Sequence, residues 1–199
     1  RPSTGWHVAF GDAQNDARDD IFISKGNVEQ MPDSAMEDPN NLLVQRIDGT
    51  FAEKGAEANL ASFHRGRGAA MVDLNRDGLL DIAVVNRRAP LEVWQNTTAQ
   101  AGNAITVSLR QPLPNVNAVG AWIEVRTNGV IQTREITVGG GQAGGSAVAE
   151  HFGLGSAMFF SVRITWPDGT MSPWAERQVQ GYAEFIETYP GLSDQTLSP

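Results

Sequence analysis

The run Asp73, Leu74, Asn75, Arg76, Asp77, Gly78, Leu79, Leu80, Asp81 carries oxygen-bearing side chains at its positions 1, 3, 5 and 9. Alternate side chains of a tight loop can converge on one point. A hard cation such as calcium takes about six to eight oxygens there, one of them a backbone carbonyl. Leu79 at position 7 offers that carbonyl, and Gly78 at position 6 suits the sharp turn. Asp73, Asn75, Asp77, Leu79 and Asp81 are therefore the expected calcium ligands.

An EF-hand loop closes with a carboxylate at its twelfth position, where this chain has Val84. The last acid comes early, at Asp81, and is followed by the β-branched run Ile82, Ala83, Val84, Val85. With Gly68 to Val72 ahead of it, the loop is predicted to join two strands. A second copy of the pattern lies upstream, where Phe10 to Phe22 aligns with Met71 to Ala83. Asp12, Gln14, Asp16 and Asp20 take the places of the four side-chain ligands, and the Arg18 carbonyl that of Leu79. Ala17 replaces the glycine. This second set is expected to be a weaker, degenerate calcium site.

These loops need strands to hold them. Leu42 to Gln45 reads as a third strand, Thr50 to Ala52 as a fourth after the turn Asp48-Gly49, and Leu91 to Trp94 as the third strand of the next repeat. Residues 25–41, polar and containing Pro32 and Pro39, read as a surface loop. Such repeats suggest blades of a β-propeller. Leu42, Leu43, Asp48 to Phe51 and Arg67 to Asp81 are similar to the closing and opening segments of FG-GAP (VCBS-type) repeats, known from integrin α-subunits and found in the cartilage acidic protein family. The departures from that pattern fall in the first loop.

The second half differs in composition. Ile105, Val107 and Leu109 alternate with polar residues, Asn128-Gly129 between 121–127 and 130–138 signals a hairpin, and Phe160 to Trp166 alternates up to the turn Pro167, Asp168, Gly169. A β-sandwich or barrel-like sheet pair is expected. Asn115, Ala118 to Ala121, Gly139 to Gly141, His151 to Gly155 and Trp166 to Gly169 resemble the ASPIC/UnbV domain that follows the propeller in the same family. The predicted architecture is all-β: two FG-GAP-type repeats over 1–100, an ASPIC/UnbV domain over 101–190, and a tail over 191–199. Two blades cannot close a propeller. Either further blades precede Arg1, or the open edges are covered by the second domain or by self-association.

The net charge of -8 and a basic content of 15 residues against 23 acids argue against nucleic acid. Cysteine is absent, so no disulfide reports the compartment, and no hydrophobic run is long enough for a membrane span. Weak calcium sites fill where calcium is millimolar, which suits an extracellular, periplasmic or cell-envelope location. None of His7, His64 and His151 has zinc-ligand spacing, and His151 reads as structural. Gly139, Gly141 and Gly144 match G-x-G-x-x-G without the βαβ context of a dinucleotide site, and Ser146 has no nucleophile-elbow context. Trp166 reads as core, Trp174 as a surface contact. The expected function is a non-enzymatic, calcium-stabilised interaction or adhesion module with a protein or glycan partner. The alternative is part of an enzyme or accessory subunit acting on a carbohydrate or other extracytoplasmic substrate.

Overall fold

A computed structural model describes residues 4–27, 38–145 and 149–191. The described residues form fourteen strands and no helix. Strands β1 (Gly5–Gly11), β2 (Asp20–Lys25), β3 (Asn41–Gln45) and β4 (Phe51–Glu53) make one antiparallel sheet in chain order. Strands β5 (Gly66–Val72), β6 (Asp81–Asn86) and β7 (Glu92–Trp94) make a second.

The two sheets share a register. Gly11 pairs with Asp20 across the first loop as Val72 pairs with Asp81 across the second, an offset of 61 residues (Phe10 to Met71). Leu43 stands opposite Ile21 as Trp94 stands opposite Ile82, so the offset falls to 51 (Leu43 to Trp94) once the longer first connection is passed. The strands alternate in burial because each sheet has one face against the other: β1 runs beside β5. Phe22, Leu42, Met71, Leu80, Ile82 and Val84 interlock between them. At their end Ser24 Oγ donates to Arg67 O at 2.6 Å, and the Arg67 guanidinium lies 4.2 Å over Trp6.

The stretch expected to be a surface loop departs from that expectation at its margins, while residues 28–37, Pro32 included, lie outside the described residues. Lys25 Nζ and Asp38 Oδ1 form a largely covered ion pair at 2.9 Å, and Asn40 Oδ1 accepts from Lys25 N at 3.0 Å. Asn27, Asp38 and Asn40 are buried. Polar residues can be interior when each group is paired, and composition alone does not reveal the pairing.

Beyond the connection 95–102, β8 (Asn103–Arg110) is the central strand of a three-stranded sheet with β11 (Ala149–Gly155) and β14 (Tyr182–Thr188), the latter parallel to it. Strands β9 (Trp122–Thr127), β10 (Val130–Glu135), β12 (Phe159–Thr165) and β13 (Ala175–Gln178) form the other sheet, in the order β10-β9-β12-β13. Ile105, Val107 and Leu109 of the first sheet meet Ile123, Val125 and Val162 of the second in one apolar core. Asn128 and Gly129 both have positive φ (48° and 80°), the turn that matches strand twist in a two-residue hairpin. Strand β10 ends at Glu135 rather than Val138, and Ile136 turns fully into the core while still donating to Ala121 O at 2.8 Å. Trp166 is buried, as its alternation implies. Trp174 is not a bare surface contact: the guanidiniums of Arg126 and Arg163 lie 4.4 and 4.5 Å from its ring. Residues 192–199 of the expected tail are outside the described set.

Phe22 is wholly buried between the first two sheets whereas Phe10 is 68% exposed. Phe22→Ala is expected to cost about 3–5 kcal/mol in urea unfolding, and Phe10→Ala about 0.5 kcal/mol or less; equal costs would contradict this packing.

Candidate metal centre and the seam beside it

The two acidic loops fold on the same set of bonds. Asp73 accepts from Asp77 N at 3.2 Å and Gly78 N at 2.8 Å, and Asp12 from Asp16 N at 3.0 Å and Ala17 N at 2.6 Å. Asp77 Oδ1 accepts from Leu79 N at 2.9 Å, and Asp16 Oδ1 from Arg18 N at 3.1 Å. Each loop takes a left-handed backbone at positions 4 and 6: Asn15 and Ala17 in the first, Arg76 and Gly78 in the second. Ala17 holds φ 68° at a position glycine occupies more cheaply.

The ninth-position acids behave differently from the rest. Asp81 Oδ2 accepts from Leu74 N at 3.0 Å and Oδ1 from Asn96 N at 2.8 Å, while Asp20 does the same with Ala13 N at 3.1 Å and Gln45 N at 2.9 Å. Both acids are buried, and each ties its loop to the end of the third strand. Burial pushes the Asp20 carboxyl up, with the Gln45 and Ala13 amides opposing. Asp12, also buried, is pushed up to about 7, again by burial first.

The second loop presents an all-oxygen set. Asp73 Oδ1 and Asn75 Oδ1 both approach Asp77 N, at 3.2 and 3.1 Å, and Asn75 Nδ2 donates to Asp77 Oδ2 at 2.8 Å, so the first three side chains are gathered. Asp73 is half-buried and Asp77 exposed. The carboxylates rest on backbone amides, and among the described residues no three His, Asp or Glu side chains are drawn into a metal-holding group. Asp81 has one hydrogen bond on each oxygen and keeps a lone pair on both, so either oxygen can still accept. In the first loop Arg18 Nη2 is paired with Asp16 Oδ2, which puts a cation of the protein's own on that carboxylate. Gln14 makes no side-chain hydrogen bond to a described residue.

Spacing gave no sign of what lies beside the loops. Asn15 Nδ2 donates to Gly78 O at 2.9 Å, its Oδ1 is 2.8 Å from His151 Nε2, and its carbonyl accepts from Gly155 N at 2.8 Å. One asparagine thus touches both loops and β11. Asn96 Nδ2 adds a second tie, donating to Ala13 O at 2.8 Å and Leu80 O at 3.1 Å. Close approach depends on missing side chains. A Cβ on Gly153 would run into the Asp12 carboxylate, one on Gly102 into Asn15 O, and one on Gly78 into the Tyr182 ring. Within the cluster Gly139 to Gly145, Gly141 and Gly144 lie against buried His7, whose ring a Cβ on either would strike. Ser146 lies outside the described residues. Further out, Arg134 Nη2 pairs with Asp19 Oδ1 at 2.5 Å. His151 is held neutral by burial, its pKa pushed down to about 4, and donates from Nε2 to Asn15 because Oδ1 can only accept.

Residues 111–188 match the family model described as ASPIC and UnbV. The second half of the chain carries an ASPIC/UnbV domain. The match takes in the hairpin, the glycine cluster, β11 and the Trp166 to Gly169 turn, yet it starts after β8, the strand to which both β11 and β14 are bonded. Cartilage acidic protein 1 from Homo sapiens is 36% identical over 91 residues, which cover 45% of this chain and 12% of that protein. The Xenopus tropicalis protein of the same name is 29% identical over 122 residues (59% and 17%), and that of Mus musculus 31% over 98 (49% and 14%). The chain spans 12 to 17% of the length of these relatives.

Asn15→Ala removes both side-chain bonds and leaves Gly78 O and His151 Nε2 unpaired. It is expected to cost about 2–3 kcal/mol, with Asn15→Gly losing less because φ 56° suits glycine. Urea unfolding of both variants checks it. Glu150, beside the seam, is pushed up to about 7 by burial, with Arg134 opposing and Asp19 reinforcing. A carboxyl raised in the fold contributes fully below its unfolded value of about 4.5 and loses that contribution as pH climbs through about 7. Glu150→Gln should therefore gain on the native chain from pH 4.5 to 7 and hold a constant lead above; melting curves across that range read the gap.

Proposed function

We propose that this chain is a non-enzymatic, calcium-stabilised interaction module of an extracellular, periplasmic or cell-envelope protein. Residues 5–94 are read as two FG-GAP-type blades, with β1 and β5 as neighbouring inner strands. The observation that carries the reading is the shared set of loop bonds at an offset of 61 residues, with an all-oxygen donor set in the second copy. Asp73, Asn75, Asp77, the Leu79 carbonyl and Asp81 would hold calcium. In the first loop Arg18 on Asp16 supplies positive charge, so we assign Asp12, Gln14, Asp16, the Arg18 carbonyl and Asp20 the weaker affinity or none.

A bound ion would supply charge neutralisation: Asp73 and Asp77 are carried by one short loop, and a divalent cation between them would offset their repulsion and stiffen the turn. That turn packs on Tyr182 of the ASPIC/UnbV domain through Gly78, so a rigid loop also sets how the two halves meet. The extracellular reading draws on relatives named for cartilage and for acidity, and on this chain's own charge of -8. Among the described residues no helix is long and apolar enough to cross a membrane.

Melting curves in calcium, magnesium and chelator test the proposal. For a site of Kd about 10⁻⁴ to 10⁻³ M, ~10 mM calcium should stabilise the fold by about 1.4–2.7 kcal/mol. Magnesium should do less, and Asp77→Ala should abolish most of the gain. Identical curves in the three buffers would sink the calcium assignment.

A further inference from the structure

Between the first two sheets, on the side away from β1 and β5, lies a half-open cavity of about 710 Å³. That is the size of a small-ligand site, for which about 300–1,000 Å³ is usual. Its floor is apolar, built from Leu42, Val44, Leu80 and Ile82 with Trp94 on one wall. Trp94 is half-buried, and its indole N–H makes no hydrogen bond to a described residue.

The rim has a different chemistry. Gln14, Asn59, Gln95 and Thr97 line it, and none of their side chains hydrogen-bonds to a described residue. Lys54 and Glu57 also stand there, but they neutralise each other in an ion pair at 2.6 Å. The opening therefore offers unused amide and hydroxyl groups without net charge, around a flat aromatic and aliphatic surface. Amides and hydroxyls serve as both donor and acceptor, which matches sugar hydroxyls, while an indole face takes the C–H face of a pyranose. A lipid tail would leave the rim groups unused, and an anionic ligand would find no free cation.

We infer that this cavity is a binding site for a neutral glycan, with Trp94 as the stacking wall and Gln14, Asn59 and Gln95 as the polar contacts. The inference deepens the interaction-module reading and rests on it only in taking the chain to recognise a partner. Calcium in the second loop is not required, since none of Asp73, Asn75, Asp77 and Asp81 lines the cavity; of the residues assigned to the weaker first loop, Gln14 alone does.

Amide and indole resonances of the whole chain, followed by NMR in calcium, provide the test. The probes are methyl glycosides of the neutral hexoses and N-acetylhexosamines, with methyl glucuronide as the anionic comparison. At least one neutral glycoside should shift the Trp94 indole and the Gln14, Asn59 and Gln95 side-chain amides together. Gln95→Ala, at an exposed position, and Asn59→Gly, which suits its positive φ, should each weaken binding roughly two- to tenfold, the share of one hydrogen bond. Trp94→Phe should weaken it while leaving the melting curve near native. The proposal is overturned if no neutral glycoside shifts these resonances, if shifts gather on Trp122 or Trp174 instead, if the three variants bind as the native chain does, or if the glucuronide binds most tightly. A chain that gains stability from calcium and ignores every glycoside would sink this inference alone.

Discussion

Two buried aspartates organise the first half of the molecule. A carboxylate taken out of water is costly unless strong donors replace the solvent, and Asp20 and Asp81 each receive two backbone N–H groups. One donor comes from the loop and the other from the end of the third strand or just past it, so each bond pair closes a hairpin onto its neighbour. Three strands and a turn are thereby locked into one register. Because the arrangement occurs twice, the two sheets present matching surfaces, and Phe22, Met71 and Val84 can interlock between them.

The loops held in this way serve as the contact surface for the ASPIC/UnbV domain. Asn15 sits where loop, loop and strand converge, and Gly102, Gly153 and Gly78 allow backbones to approach to a distance that no side chain would permit. The glycines and the asparagine are therefore one device. Polar bonds fix the alignment of the halves, and absent Cβ atoms let those bonds form.

Much of this was legible in the chain itself. The spacing of Asp73 to Asp81, its copy at Asp12 to Asp20, the Asn128-Gly129 turn and the alternation in β8 and β12 all report local backbone geometry, and local geometry is what short-range patterns encode. Pairings between distant segments were not legible. Asn15 occupies the loop position that Arg76 holds in the other copy, and nothing in its neighbours marks it as a bridge. Lys25, Asp38 and Asn40 look like solvated loop residues until their mutual bonds are seen. Strand β14 was hidden by an outward Ile186, 64% exposed, and by Glu187 on the same side as inward Ala183 and Phe185, which together blur the alternation. The glycine cluster resembles a phosphate motif, yet two of its glycines, Gly141 and Gly144, make room for His7.

The parallel pairing of β8 with β14 joins the first and last strands of the second unit, with Tyr182 beside Ala104 and Thr188 beside Arg110. Tension applied through the chain at Asn103 and Thr188 would pull the two strands along their lengths in opposite directions. Every hydrogen bond of the pair then bears load at once, rather than opening one after another as in a peeled hairpin. In a protein tethered at both ends, this domain would act as a mechanical clasp, and its resistance to stretching would come from the alignment of two strands nearly eighty residues apart.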